Sequence, residues 1–155
     1  MIRKTITYGM IFIAVALLLA SCGGSGEQKS QAPATPAASA NPDDPMQNKG
    51  IGPVTSITLG AIDPAMVAEG KALYELKCTA CHKPNEKFVG PAPKGILSRR
   101  SPEWIMNMIL NPEEMIQKDP IAKKLLVESN LAPMANQHLT EAEARKILEY
   151  FRTLE

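Results

Sequence analysis

The segment Cys78-Thr79-Ala80-Cys81-His82 constrains this chain more than any other. Two cysteines separated by two residues and followed at once by histidine form the attachment signature of a c-type haem. The spacing has a mechanical reason. Each thiol can add to one porphyrin vinyl group, giving two thioether bonds. His82 is then carried under the iron, where an imidazole nitrogen serves as proximal ligand. A chain that holds such a group must wrap a large, flat, apolar body. Other readings of the five residues need partners that the sequence does not offer. A structural zinc site takes about four ligands, usually in two pairs, and His138 is the only other histidine. A thioredoxin-like motif sits near a βαβ pattern, which is absent. A Cys78–Cys81 disulfide is open to the pair only in an oxidising compartment.

The N-terminus speaks to the compartment. Arg3 and Lys4 supply a positive n-region, and Ile6 to Ala20 is almost wholly apolar. That stretch is too short for a comfortable membrane span. It ends in Leu19-Ala20-Ser21-Cys22, which resembles the lipobox of bacterial lipoproteins. The resemblance implies a signal peptide over residues 1–21, cleavage before Cys22, lipidation of Cys22, and a periplasmic protein anchored in a membrane. The alternatives are an ordinary signal peptide with a chance cysteine, or an uncleaved anchor. Several acyl chains on one residue give stable attachment, because each buried CH₂ contributes roughly 0.8 kcal/mol. The 3 cysteines are then all assigned: Cys22 to lipid, Cys78 and Cys81 to haem.

Residues 22–62 are expected to form the lipidated terminus, a linker and an arm. From Gly23 to about Gly50 the chain is rich in Gly, Ser, Ala, Pro, Asn and Gln, without apolar periodicity. Such a segment cannot bury enough surface to offset its ordering entropy. Its prolines make it a semi-extended tether, with a reach of up to about 80 Å. Ile51 to Ile62 is more apolar and suited to dock as an irregular arm. Residues 63–155 form the predicted folded domain, which is small for a single core. A haem would supply much of that core.

Helix starts are clearly marked. Asp63-Pro64, Ser101-Pro102, Asn111-Pro112 and Asp119-Pro120 each place an N-cap residue before a proline at the first helical position. Thr140-Glu141-Ala142-Glu143 reads as a capping box. The expected helices cover 64–77, 102–110, 112–118, 120–129 and 140–154. No stretch shows sustained period-two alternation, so the fold class is all-α. Val67, Gly70, Leu73 and Tyr74 share one face of the first helix. Ala144, Ile147, Leu148, Phe151 and Leu154 form an amphipathic stripe on the last.

With its Cys-x-x-Cys-His segment between these elements, the chain from about Asp63 to Leu154 resembles the monohaem cytochrome c family. The resemblance implies a small cytochrome c fold of four to five helices around one covalent haem c. It also implies that the first and last helices cross beside the haem. Gly70 and Tyr74 hold the family's spacings of eight and four residues before the first haem cysteine. Ile147, Tyr150 and Phe151 are their counterparts on the last helix. Pro91, in Val89-Gly90-Pro91, matches the proline whose carbonyl accepts a hydrogen bond from the proximal imidazole. Pro93 stands where the family often has leucine. Met134, in the loop before the last helix, matches the distal ligand, although Pro133 precedes it here whereas the family order is Met then Pro. His138 is the alternative ligand, or else a surface histidine. Met106, Met108 and Met115 fall inside predicted helices, where methionine fills core. Trp104 has two readings, a packed helix residue or an indole donor to a haem propionate.

Charge is balanced overall but unevenly spread. From Lys71 to Arg100, seven basic residues face two acidic ones, a net of +5. From Ser101 onward, six basic residues face nine acidic ones, a net of −3. Lysines around a haem edge would steer docking onto an acidic partner. No basic-aromatic platform suggests nucleic-acid binding. With His82 and Met134 both on iron, no position remains for a substrate, so the resemblance implies an electron carrier and not an enzyme. Its expected partners are redox proteins: a quinol-oxidising complex as donor, and a terminal oxidase or periplasmic reductase, including one of denitrification, as acceptor. The competing readings are a haem sensor or small peroxidase with an open distal site, and a haem subunit of a larger respiratory complex.

Overall fold

The computed structural model describes residues 41–155. The leader and Cys22 lie outside the described residues. Five α-helices are present: α1 (Pro64–Lys77), α2 (Pro102–Leu110), α3 (Pro112–Lys118), α4 (Pro120–Glu128) and α5 (Glu141–Phe151). A one-turn 3₁₀ helix spans Ile96–Ser98, and there is no strand among the described residues. The fold is all-α, as the sequence predicts. None of these helices is long and apolar enough to cross a membrane.

Local chemistry sets the helix starts. The Asp63 carboxylate accepts from the Ala65 and Met66 amides, and Asp119 accepts from Ala122 at 2.8 Å. Ser101 Oγ accepts from the Trp104 amide at 3.2 Å. Thr140 and Glu143 form the reciprocal capping box. Asn111 departs from expectation, because its side chain caps nothing. Its amide donates instead to the Ile51 carbonyl and to Glu114. The last helix also stops at Phe151, short of the expected 154. Leu154 lies beyond it, and its carbonyl accepts from the Gly95 amide at 3.0 Å.

α1 and α5 make the closest helix pair. Gly70 is buried at their crossing, and a Cβ there would collide with the Lys146 carbonyl. Absence of a side chain lets the two backbones touch. Tyr74 then packs against Tyr150 and, edge-on, Phe151, with ring centroids 5.5 and 5.7 Å away. Ala144, Ile147 and Leu148 are fully buried on the same seam. The predicted stripes of both helices therefore meet.

Residues 41–62 pack against the helices: the segment from Ile51 to Ile62 is docked as an irregular arm, and the described part of the expected tether is packed with it. Asn107 of α2 is 1% exposed and grips the arm by three bonds. It accepts from the Val54 amide at 3.0 Å and donates to the carbonyls of Lys49 and Val54 at 2.9 and 2.8 Å. Upstream, the expected tether is already packed by residue 48. Asn48 is buried and donates to Asp119 at 2.6 Å. Side-chain amides satisfy the irregular backbone here, so no periodic pattern marks the docking.

Candidate functional site

α1 delivers the Cys78–His82 segment directly from its C-terminus. The Cys78 amide closes the helix onto the Tyr74 carbonyl, and the His82 amide folds back to the Cys78 carbonyl at 2.9 Å. Tyr74 Oη donates to the His82 carbonyl at 3.0 Å, so the buried ring that seals the crossing also fixes the backbone of the motif. Cys78 is half-buried, Cys81 is exposed, and both are free thiols. Burial, and secondly the nearby Cys81, pushes the Cys78 thiol up to about 11. It is therefore neutral at physiological pH.

The imidazole of His82 is held from two sides. Nδ1 lies 2.8 Å from the Pro91 carbonyl oxygen, as the resemblance predicts. A carbonyl can only accept, so Nδ1 carries the proton and Nε2 keeps a free lone pair. Gly90 sits against the ring. A Cβ at that position would lie 2.8 Å from Nδ1 and 2.9 Å from Nε2. Its amide donates to the Cys81 carbonyl at 2.9 Å, which holds the turn against the motif.

These residues form one wall of a cavity of about 230 Å³. Cys78, Cys81, His82, Pro91 and Met134 all line it, so the structure brings together every candidate in the described residues. Ile105, Ile109, Leu125, Ile147 and Phe151 give it an apolar interior, and Lys77, Arg99 and Arg100 give it a cationic border. Met134 lies in the loop between α4 and α5. Within that loop Asn130, Leu131 and His138 adopt positive φ. His138 is exposed and takes no part in the cavity lining. Pro93 is buried and lines the cavity in the place where leucine is frequent in the family. Met108 also faces the cavity, although its helical position reads as core filler.

Trp104 lines the cavity, but its indole N–H is already committed. Nε1 donates to Asp119 at 3.1 Å in a buried bond. Of the two readings of this residue, the packed one holds. Arg99 and Arg100 were legible only as charge, the end of the basic run from Lys71, and not as residues bordering the cavity. A pair of cations between an apolar turn and a capped helix was the available signal.

The donor set suits a covalent haem. It offers two thiols on one face of a turn, an imidazole with its lone pair free, a thioether, and apolar walls with a cationic rim. The glycine cradle against His82 supports the same fit, since any larger residue would displace the ring. A haem bound here would be held by Cys78, Cys81 and His82.

Comparison with known proteins agrees with this chemistry. The sequence model of the family described as cytochrome c matches residues 67–155. Among solved structures, cytochrome c from Rhodothermus marinus is 44% identical, with a TM-score of 0.64, covering 66% of this chain and 89% of that one. An engineered Rhodothermus marinus cytochrome c bound to a carbene intermediate is also 44% identical, covering the same shares, with a TM-score of 0.61. No curated protein matched the chain. This chain belongs to the cytochrome c family: it is a c-type cytochrome, a haem-bearing electron carrier whose partners are redox proteins.

Proposed function

We propose that this cytochrome is a membrane-tethered one-electron carrier of a respiratory chain, with one haem c and axial ligation by His82 and Met134. The observation that carries the reading is the convergence of Cys78, Cys81, His82 and Met134 on one cavity. Haem, when bound, supplies the ferrous–ferric couple. Cys78 and Cys81 anchor it, and His82 presents Nε2 because Pro91 holds Nδ1–H. Met134 offers a soft, neutral thioether, which favours the ferrous state relative to a second imidazole. With His82 and Met134 both given to the metal, no position would be left for a substrate, which supports the reading as an electron carrier and not an enzyme. The apolar walls exclude water from the site.

The tether extends the reading to localisation. The lipobox-like Leu19-Ala20-Ser21-Cys22 supports lipidation of Cys22, which lies outside the described residues. The domain on this tether shuttles in the periplasm between a quinol-oxidising complex and a terminal oxidase or periplasmic reductase. Carbon monoxide tests the closed site. Added to the reduced protein, it leaves the visible spectrum unchanged. Met134→Ala makes the spectrum respond to carbon monoxide and lowers the midpoint potential. A rapid spectral shift in the unaltered protein would indicate a sensor or peroxidase. Co-purification of the solubilised native protein in a large assembly would indicate a fixed subunit.

A further inference from the structure

The arm and the cavity share one wall. Helix α2 lines the cavity with Trp104, Ile105, Met108 and Ile109, and it holds the arm with Glu103 and Asn107. Trp104 stands between the two. A Cβ at Gly50 would lie 3.3 Å from its indole Cδ1, so bare arm backbone packs against the ring. The Gly50 amide donates to Asn48 Oδ1 at 2.7 Å, and the Asn48 carbonyl accepts from Ser101 Oγ, the cap of α2, at 2.5 Å. Asp119 completes the circuit. It is 2% exposed and joins no ion pair among the described residues. Oδ1 accepts from Trp104 Nε1 at 3.1 Å and from the Ala122 amide at 2.8 Å. Oδ2 has one protein donor among the described residues, Asn48 Nδ2 at 2.6 Å. A buried carboxylate oxygen stripped of its donor is costly, and water takes the donor's place when it can reach it. Lifting the arm therefore brings water to the arm side of Trp104 and frees the α2 cap in the same step.

The cytochrome c sequence match begins at residue 67, so the arm lies outside the matched region. We propose that residues 41–62 are a strap that keeps the α2 wall of the haem cavity closed to water, linked to that wall through Asn48, Asp119 and Trp104, and that docking of the strap raises the midpoint potential. This rests on the haem reading above. Ferric haem carries one more positive charge than ferrous haem, so water near the iron favours the ferric form and lowers the potential. A docked strap excludes that water. A lifted strap admits it through a wall whose own residues are unchanged.

Two measurements on the full-length mature holoprotein test this. The first is hydrogen exchange of the reduced, unaltered protein, followed by NMR at denaturant concentrations below the unfolding transition. It reads two protons, the Val54 N–H on the strap and the Trp104 Nε1–H on the wall. Both should exchange through one shared opening that is smaller than global unfolding. If Val54 opens early while Trp104 waits for global unfolding, or if both wait for it, the proposal is overturned, whether or not any variant matures. The second is redox titration of Gly52→Ala. The added methyl collides with the Asn107 side chain, and no residue of the cavity lining is altered. Both protons should then exchange about tenfold faster, the equivalent of one lost hydrogen bond, and the midpoint potential should fall. Gly60→Ala, whose methyl meets nothing within 4 Å, should leave exchange and potential as they are. A Gly52→Ala protein with faster exchange and the parent's potential overturns the link to the redox centre. A mature protein without covalent haem would instead overturn the reading beneath it, while the shared opening is read from protein protons alone.

Discussion

At the scale of single residues, two positions carry unusual constraint. Gly70 has no room for one more carbon, because the Lys146 carbonyl occupies the space. Gly70→Ala must separate α1 from α5, so a loss of about 2–3 kcal/mol is expected, measured by chemical denaturation. Glu149 is the second. Its side chain is 1% exposed and is bound by Arg145, by Arg152 at 2.7 Å, and by the Asp63 amide at 3.0 Å. Burial alone would raise its pKa, but the bonds from Arg145, Arg152 and Asp63 together outweigh it and hold the carboxyl below its usual range. A carboxyl depressed in the folded state stabilises above its unfolded pKa, about 4.3, and that stabilisation fades as pH falls through the lower folded value. Glu149→Gln should therefore cost roughly 3 kcal/mol at neutral pH. The difference from the parent should shrink as the denaturation series moves below about pH 4.

At the scale of elements, the helix starts were readable because Asp-Pro and Ser-Pro pairs encode caps locally. All five helices lie where those signals put them, to within a few residues at the C-termini. Signals failed where a side chain served a distant partner. Asn111 gave up capping α3 for the arm, and nothing in the neighbouring residues encodes that choice. The apolar content of Ile51 to Ile62 pointed to a docked arm, but the packing of the preceding residues was hidden for the same reason, since Asn107 reaches the Lys49 carbonyl and Asn48 reaches Asp119 across the fold. Asn107→Ala would strand the Val54 amide and two carbonyls, with an expected loss of roughly 2–3 kcal/mol in thermal or chemical unfolding. Of the cavity, the attachment motif, Pro91 and Met134 were legible from spacing and resemblance. The arginine rim was not, because only tertiary packing decides whether a cation meets solvent or an interior wall.

At the scale of the whole molecule, charge and exposure share one side of the motif. Cys81 is exposed, and next to it Phe88 and Val89 are 55% and 40% exposed. Lys83 lies over the Phe88 ring at 5.1 Å, and Lys87 donates to the Glu128 carbonyl at 2.6 Å. Reversing both lysines to glutamate should slow electron transfer with an acidic partner by on the order of tenfold at low ionic strength. Its salt dependence, followed by stopped flow, should flatten or invert. The grip on His82 bears on the same reaction. Its carbonyl is held by Tyr74 and its ring by Pro91. In the proposed role as iron ligand, a side chain pinned at both ends would not swing when the charge on the metal changed. Little nuclear rearrangement would then accompany each oxidation or reduction, and the intrinsic barrier to electron exchange would be low before any partner arrived.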